Sequence, residues 1–364
     1  MATMAPPQPV HTFQPDPAKL EVFMHKMVGD MAAAMSGSLV ITGVKLGLYA
    51  KLAQIGPANS RQLAEELNLD ERYVREWLSA QAASGFVDYD PESDRFAMNP
   101  EQMMALANED SPVYVAPAFE LIASAYIDEP KITDAFQSGA GVGWHEHHEC
   151  LFRGCEKFFR PGYRANLVST WLPALDDVVE KLQRGAKVAD IGCGAGASTI
   201  IMAAAFPKSE FVGFDYHDKS IGRAREAAQE AGYLPNLRFE IAAAKQAPGS
   251  EFDLACCFDC LHDMGDPVGA ATHVREMLKA DGTFMIVEPI ASDSLSGNIN
   301  PVGRMYYSAS TMICTPGSKA QEVGLALGAQ AGEAKLREVL SKAGFGTVRR
   351  AAETPFNMVL EARP

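Results

Sequence analysis

The run Val188-Ala-Asp-Ile-Gly-Cys-Gly-Ala-Gly-Ala-Ser-Thr199 carries the most specific chemical pattern in this 364-residue chain. Gly192, Gly194 and Gly196 let the backbone turn sharply and approach a ligand closely, and the helix that follows offers free N–H groups at its start. A pyrophosphate-binding dinucleotide turn needs G-x-G-x-x-G. Here the spacing is G-x-G-x-G, and Asp190 precedes it. A carboxylate at that place repels a pyrophosphate and suits a cationic ligand that carries an amino group.

A second pattern is Phe258-Asp-Cys-Leu-His-Asp-Met-Gly-Asp-Pro267, which sets His262 among Asp259, Asp263 and Asp266. A near-neutral imidazole can take a proton from a phenol, a thiol or another weak acid, and a carboxylate beside it steadies the imidazolium. The plainer alternative is a solvated loop histidine, with Asp266-Pro267 merely starting the next helix. The segment around His145, His147 and His148, with Cys150 and Cys155 nearby, invites a metal reading, but the spacing fits no tetrahedral zinc pattern and no metal is expected. Two readings stay open for it. One is a solvated loop. The other is a lid with Trp144 as apolar wall, His147 touching substrate, and His145 or His148 as an auxiliary catalytic group. In the weakly patterned stretch 299–332, Met305, Tyr306, Tyr307 and Met312 are candidates for an adaptable, apolar substrate pocket.

The elements that must position these groups follow from periodicity. From residue 186 onward strands alternate with helices: 187–192, helix 197–206, 210–215, helix 219–231, 237–242, 252–258, helix 267–280, 282–288, helix 333–343, then two closing strands. That alternation predicts an α/β domain over 186–364, with a mostly parallel, Rossmann-like sheet covered by helices on both faces. Residues 18–110 read as mainly helical. Ser60 and Asp70 are expected N-caps of two successive helices, and two short strands flank the turn 90–94, a winged-helix pattern. Residues 111–185 read as a helical linker and active-site lid, with a helix broken at Pro161 and Pro173, and the Pro-rich residues 1–17 as a flexible tail.

The acidic residue followed by G-x-G-x-G resembles motif I of the class I S-adenosylmethionine (SAM)-dependent methyltransferases. The resemblance implies a seven-stranded sheet. It also implies that Asp190, Gly192, Gly194 and Gly196 hold the cofactor, and that Asp215, ending a strand, accepts hydrogen bonds from both ribose hydroxyls. In that family the third strand often leads to an Asp beside the adenine. Here Ala243 and Ala244 stand there, which leaves that contact to the backbone. The run LHDMGDP is similar to the histidine segment of plant-type small-molecule O-methyltransferases, which also carry a dimerising winged-helix domain, and Gly-x-Gly-Trp near 143 extends the match to a bacterial two-domain subfamily. This resemblance implies His262 as general base and Glu288 as its flanking acid. It further implies Phe258, Asp259, Tyr163 and Arg160 around SAM. The product would be S-adenosylhomocysteine.

Composition narrows the function classes. Lys+Arg 32 against Asp+Glu 46 leaves a net charge of −14, which disfavours nucleic acid and anionic membrane as partners. The candidate recognition helix 71–84 is itself rich in Glu and Asp, so a DNA-binding regulator is the alternative rather than the main reading. Apolar side chains at Val22, Phe23, Met24, Met27, Val28, Met31, Leu39, Val40 and Ile41 exceed what a small winged helix needs and predict a homodimer through the N-terminal domain. No run of uncharged apolar residues long enough to span a membrane is seen. Cysteines scattered in apolar segments fit a reducing cytoplasm.

Overall fold

In the computed structural model, which describes residues 14–232 and 234–364, the first helix is set by its cap. The Asp16 carboxylate accepts from the Ala18 and Lys19 N–H groups at 3.0 and 3.4 Å. Pro17, pre-set for helix, begins α1 (Pro17–Lys45). The expected tail over 1–17 therefore stops short of Pro17, and its residues 1–13 lie outside the described part. The chain divides into two compact units, up to Met103 and from Met104 to Pro364.

In the first unit, Gly47 in the left-handed region separates α1 from α2 (Leu48–Ile55). The next helix, α3 (Ser60–Leu67), is capped by Asn59, not Ser60. Asn59 accepts from the Gln62 N–H at 3.0 Å and Gln62 reaches back to the Asn59 N–H at 3.1 Å, a reciprocal capping box, while the Ser60 hydroxyl turns to Glu71. Asp70 caps α4 (Glu71–Ala83) as the sequence predicts. A hairpin of β1 (Asp88–Asp90) and β2 (Arg95–Ala97) follows, then α5 (Pro100–Leu106). Along α1 only Gly37, Val40 and Gly43 are buried; Val22 is 71% and Met35 79% exposed. By length and composition α1 is also apolar enough to cross a membrane. The sequence reading missed this because a few polar residues interrupt the run.

The second unit takes in residues 111–185 together with the sheet. Its first helices are α6 (Phe119–Ser138), α7 (Glu149–Asn166) and α8 (Val178–Arg184). Gly154 lets α6 and α7 touch at the backbone, since a Cβ there would sit 2.3 Å from the Leu121 nitrogen. Pro161 does not break α7. The helix absorbs the lost hydrogen bond and ends in a π-turn, Leu167–Trp171, and a 3-10 turn that holds Pro173.

The strands and helices then alternate: β3 (Lys187–Ile191), α9 (Ala197–Ala205), β4 (Glu210–Asp215), α10 (Asp218–Glu230), β5 (Leu237–Ile241), β6 (Phe252–Phe258), α11 (Pro267–Met277), β7 (Leu278–Pro289), α12 (Pro301–Ala309), α13 (Thr315–Lys319), α14 (Gly332–Lys342), β8 (Thr347–Glu353) and β9 (Asn357–Arg363). The order across the seven-stranded sheet is β5-β4-β3-β6-β7-β9-β8, with β9 antiparallel to both neighbours and the first five strands parallel. Successive side chains point to opposite faces. Val188 joins Met202, Phe211 and Trp171 on one side, and Ala189 and Ile191 join Phe214, Phe284 and Leu360 on the other. Burial on both faces explains the near-continuous apolar strands. It also gathers the carboxyl ends of β3, β4 and β6 around one crevice.

Candidate active site

A cavity of about 880 Å³ lies at that crevice, lined by residues of the second unit. The turn after β3 forms one wall through Gly192, Cys193 and Gly194. Gly194 has a φ of +52° and nothing within 4 Å of where a Cβ would stand, so backbone faces the open space directly. Gly196 does a different job: a Cβ there would meet the Phe239 ring at 2.5 Å, so it lets the turn pack on the sheet and does not line the cavity.

Asp190 also lies outside the cavity lining. It is fully buried behind the turn, where its Oδ2 accepts from Ser198 Oγ and Thr199 Oγ1, both at 2.7 Å, and fixes the start of α9. Its Oδ1 has no partner, and burial pushes its pKa up to about 6. Asp215 at the end of β4 does line the cavity. It accepts from the Gly194 N–H at 3.0 Å and the His217 N–H at 2.8 Å, which holds the carboxylate still with lone pairs to spare, and burial raises its pKa. Ala242, Ala243 and Ala244 continue the wall beyond β5 with no polar side chain.

The loop after β6 forms the deep end. Asp259 takes φ +51°, and its carboxyl group accepts from Tyr163 Oη at 2.9 Å and Asn357 Nδ2 at 2.8 Å. Burial, reinforced by the Glu288 charge, pushes it up to about 8; burial likewise lifts Asp263 to about 7. His262 is no solvated loop residue. It is 4% exposed, with Nδ1 on Glu288 Oε2 and Nε2 3.3 Å from Cys314 Sγ. Glu288 Oε1 accepts from the Leu261 and His262 N–H groups at 2.9 and 3.3 Å, so the ring and its turn share one anchor. Burial alone would lower the His262 pKa, but the charges of Glu288 and Cys314 prevail and raise it well above the ordinary value. Glu288 itself stands behind His262 rather than in the cavity wall.

The roof comes from α7. Phe152, Cys155, Glu156, Phe159 and Tyr163 recur at helical spacing and face the cavity, a stripe of which the sequence reading named only Tyr163 as a cofactor residue. Trp144 packs on Phe152, with ring centroids 5.3 Å apart, and joins the wall. The three lid histidines do not. His147 is buried on Asp128, His148 caps α7 by accepting from the Cys150 N–H, and neither they nor His145 line the cavity. Among the described residues no group of His, Cys, Asp or Glu is placed to hold a metal. From the insertion, Met305 and Tyr306 line the cavity. Met312 packs in the apolar cluster above it, and the Tyr307 hydroxyl meets Asn298 instead. Arg160 is turned to Glu156 and is outside the lining. No sequence pattern points to Cys314, which lies 52 residues from His262.

Comparison with known proteins bears on this crevice. Residues 182–344 match the family described as a methyltransferase domain, and residues 33–108 match an Rv2258c-like winged HTH domain. Residues 182–344 thus form a methyltransferase domain. Over 123 residues it is 30% identical to the uncharacterized methyltransferase YcgJ of Bacillus subtilis, covering 33% of this chain and 47% of that one. Over 101 residues it is 32% identical to a ubiquinone biosynthesis O-methyltransferase of Cereibacter sphaeroides, covering 28% and 40%. The chain thus spans less than half the length of these curated relatives. Its fold is also similar to that of human N-acetylserotonin methyltransferase in complex with SAM, with a TM-score of 0.66 and 17% identity over 96% of this chain and 98% of that one.

The methyltransferase domain's cavity suits that cofactor electrostatically. Asp215, Asp259 and Asp263 line it, and burial raises all three, so the site is short of positive charge. A ligand bearing a sulfonium and an ammonium relieves this. Two basic side chains of the lining, Arg223 and Lys245, are already engaged: Arg223 with Glu230 at 2.9 Å, and Lys245 with Glu322 at 2.8 Å and Asp266 at 3.0 Å. That leaves these cations poorly placed to receive a pyrophosphate, in keeping with the glycine spacing.

Proposed function

We propose that the protein transfers a methyl group from SAM to an O–H or S–H group of a small, largely apolar molecule, with His262 as proton acceptor. The observation that carries this reading is His262, backed by Glu288, lining the same cavity as Gly194 and Asp215. Bound SAM supplies a methyl group on a positively charged sulfur. Asp215 would receive the ribose hydroxyls, and the bare backbone at Gly194 admits the ligand close to the turn. Tyr163 and Asn357 hold Asp259 in place, while Phe258, Trp144 and Tyr306 exclude water from the acceptor. Glu288 holds the His262 ring through Nδ1 and strengthens Nε2 as a base. The Glu288 charge favours the protonated ring against burial, and only the neutral ring can accept a proton from the substrate. Turnover should therefore rise with pH above neutrality.

The test is turnover of labelled SAM against a panel of phenols, thiols and amines, alongside calorimetry of SAM binding. Methylated phenols or thiols are expected. Label passing only to amines, or no SAM binding, overturns the reading.

We also propose that a second copy of the chain covers the exposed apolar length of α1, giving a homodimer in the cytoplasm. Light scattering at micromolar concentration should give twice the chain mass, and Val28→Glu with Met31→Glu should return it to the monomer.

A further inference from the structure

Four thiols line the cavity, and they are not equivalent. Cys193 Sγ meets the Gly194 carbonyl at 3.8 Å, and Cys260 Sγ meets the Ile191 carbonyl at 3.2 Å and the Cys257 thiol. Burial drives Cys155 and Cys193 toward the neutral thiol. Cys314 instead lies 3.3 Å from His262 Nε2, and the far side of that ring is on Glu288. Among the described residues no other thiol contacts an imidazole. Cys314 closes a π-turn, Ser310–Cys314, an irregularity that aims a side chain away from the regular helical register. Thiol, imidazole and carboxylate in this order are the arrangement that activates a cysteine nucleophile.

We propose that Cys314 is such a nucleophile, and that it adds covalently to α,β-unsaturated carbonyl compounds entering the cavity. From the neutral ring, whose Nδ1–H is on Glu288, the Sγ–H proton passes to His262 Nε2, and Glu288 stabilises the imidazolium so formed. The thiolate attacks the β-carbon of the electrophile, forming the C–S bond as the C=C pair moves toward the carbonyl. The resulting enolate takes the proton back from Nε2 at the α-carbon. Nothing is oxidised or reduced, and the product is a thioether. A neutral, planar, soft electrophile fits the wall of Phe152, Trp144, Tyr306 and Ile313 around the thiol. The adduct would fill the acceptor end of the cavity and tie up His262, so it would also stop methyl transfer.

This inference shares His262 and Glu288 with the proposed methyl transfer but rests on their geometry alone, so its test needs no methyl donor. The full chain is treated with limiting N-ethylmaleimide, and each cysteine is followed by peptide mass spectrometry over time. Cys314 is expected to label at least about tenfold faster than Cys155, Cys193 and Cys260. His262→Gln, and separately Glu288→Gln, should remove that lead while Cys150, half-buried and outside the cavity lining, labels as before, which reports an intact fold. Equal rates among the four cavity thiols in the unaltered protein, or a Cys314 rate unchanged by His262→Gln, overturns the proposal. A chain that labels first at Cys314 but transfers no methyl group supports this inference and defeats the other reading.

Discussion

His262 and His147 are both buried histidines with Nδ1 on a buried carboxylate, yet the two sites hold their protons in opposite ways. At His147 burial prevails over Asp128, and the pKa falls below the ordinary value. Asp128 is drawn elsewhere: it accepts from the Lys131 ammonium at 2.7 Å and the His148 N–H at 2.9 Å, and these hold it low despite burial. His147 Nε2 has no partner. At His262 the carboxylate serves only the ring and its turn, and Nε2 meets a thiol at the cavity wall. The first arrangement ties the segment before α7 to α6. The second keeps a basic nitrogen available to a ligand.

The largest expected effect separates the two outright. His262→Ala should lower methyl transfer by roughly 10²–10⁴-fold, the usual worth of a positioned acid–base group, with SAM affinity nearly unchanged and the loss shrinking at high pH. His147→Ala should leave turnover within about twofold, because its ring lies outside the cavity lining. Full activity of the His262 variant at neutral pH would make both histidines structural and erase the contrast.

A second pair of variants extends the comparison to the carboxylates. Asp215→Ala should weaken SAM binding by about 1.5–3 kcal/mol in calorimetry, the range for charge-assisted hydrogen bonds. Asp128→Ala should leave that affinity alone and cost about 1–3 kcal/mol of stability in denaturant melts, since buried donors lose their acceptor. Equal effects of both variants on SAM would mean that the α6–α7 joint shapes the cofactor site.

The smallest effect is the sharpest. His262 has a folded pKa raised above 6.5, so its contribution to stability is full below that value and is lost as pH climbs through the folded pKa. The His147 pKa is lowered, so the fold excludes a proton that the unfolded chain binds, and stability is lost as pH falls below 6.5. His262→Gln should flatten the alkaline arm of the stability profile and His147→Gln the acid arm. Melting temperatures measured across pH 5–9 would show whether each variant moves its own arm.

Much of the scaffold is written in local signals. Strand alternation placed β4 and β6 at their observed limits, because a buried parallel strand needs a short apolar run bounded by turn residues. The glycine spacing marked the turn after β3, and Asp70 marked its helix start, since both depend on residues a few positions apart. Other local readings lost to a better competitor close by, as Asn59 displaced Ser60 through its reciprocal bond with Gln62. What only the tertiary structure decided is which side chains meet. Asp190 turned inward because Ser198 and Thr199 offered two hydroxyls on the helix it faces. The lid histidines went to Asp128 and a helix cap, leaving the roof to an aromatic stripe of α7. Cys314 reached His262 from a π-turn, whereas the meeting of Glu288 with His262 across neighbouring strands was implied by the family resemblance and not by periodicity. Partners tens of residues apart leave no mark on sequence periodicity, because their distance is fixed by the register of the sheet and the packing of whole elements rather than by spacing along the chain.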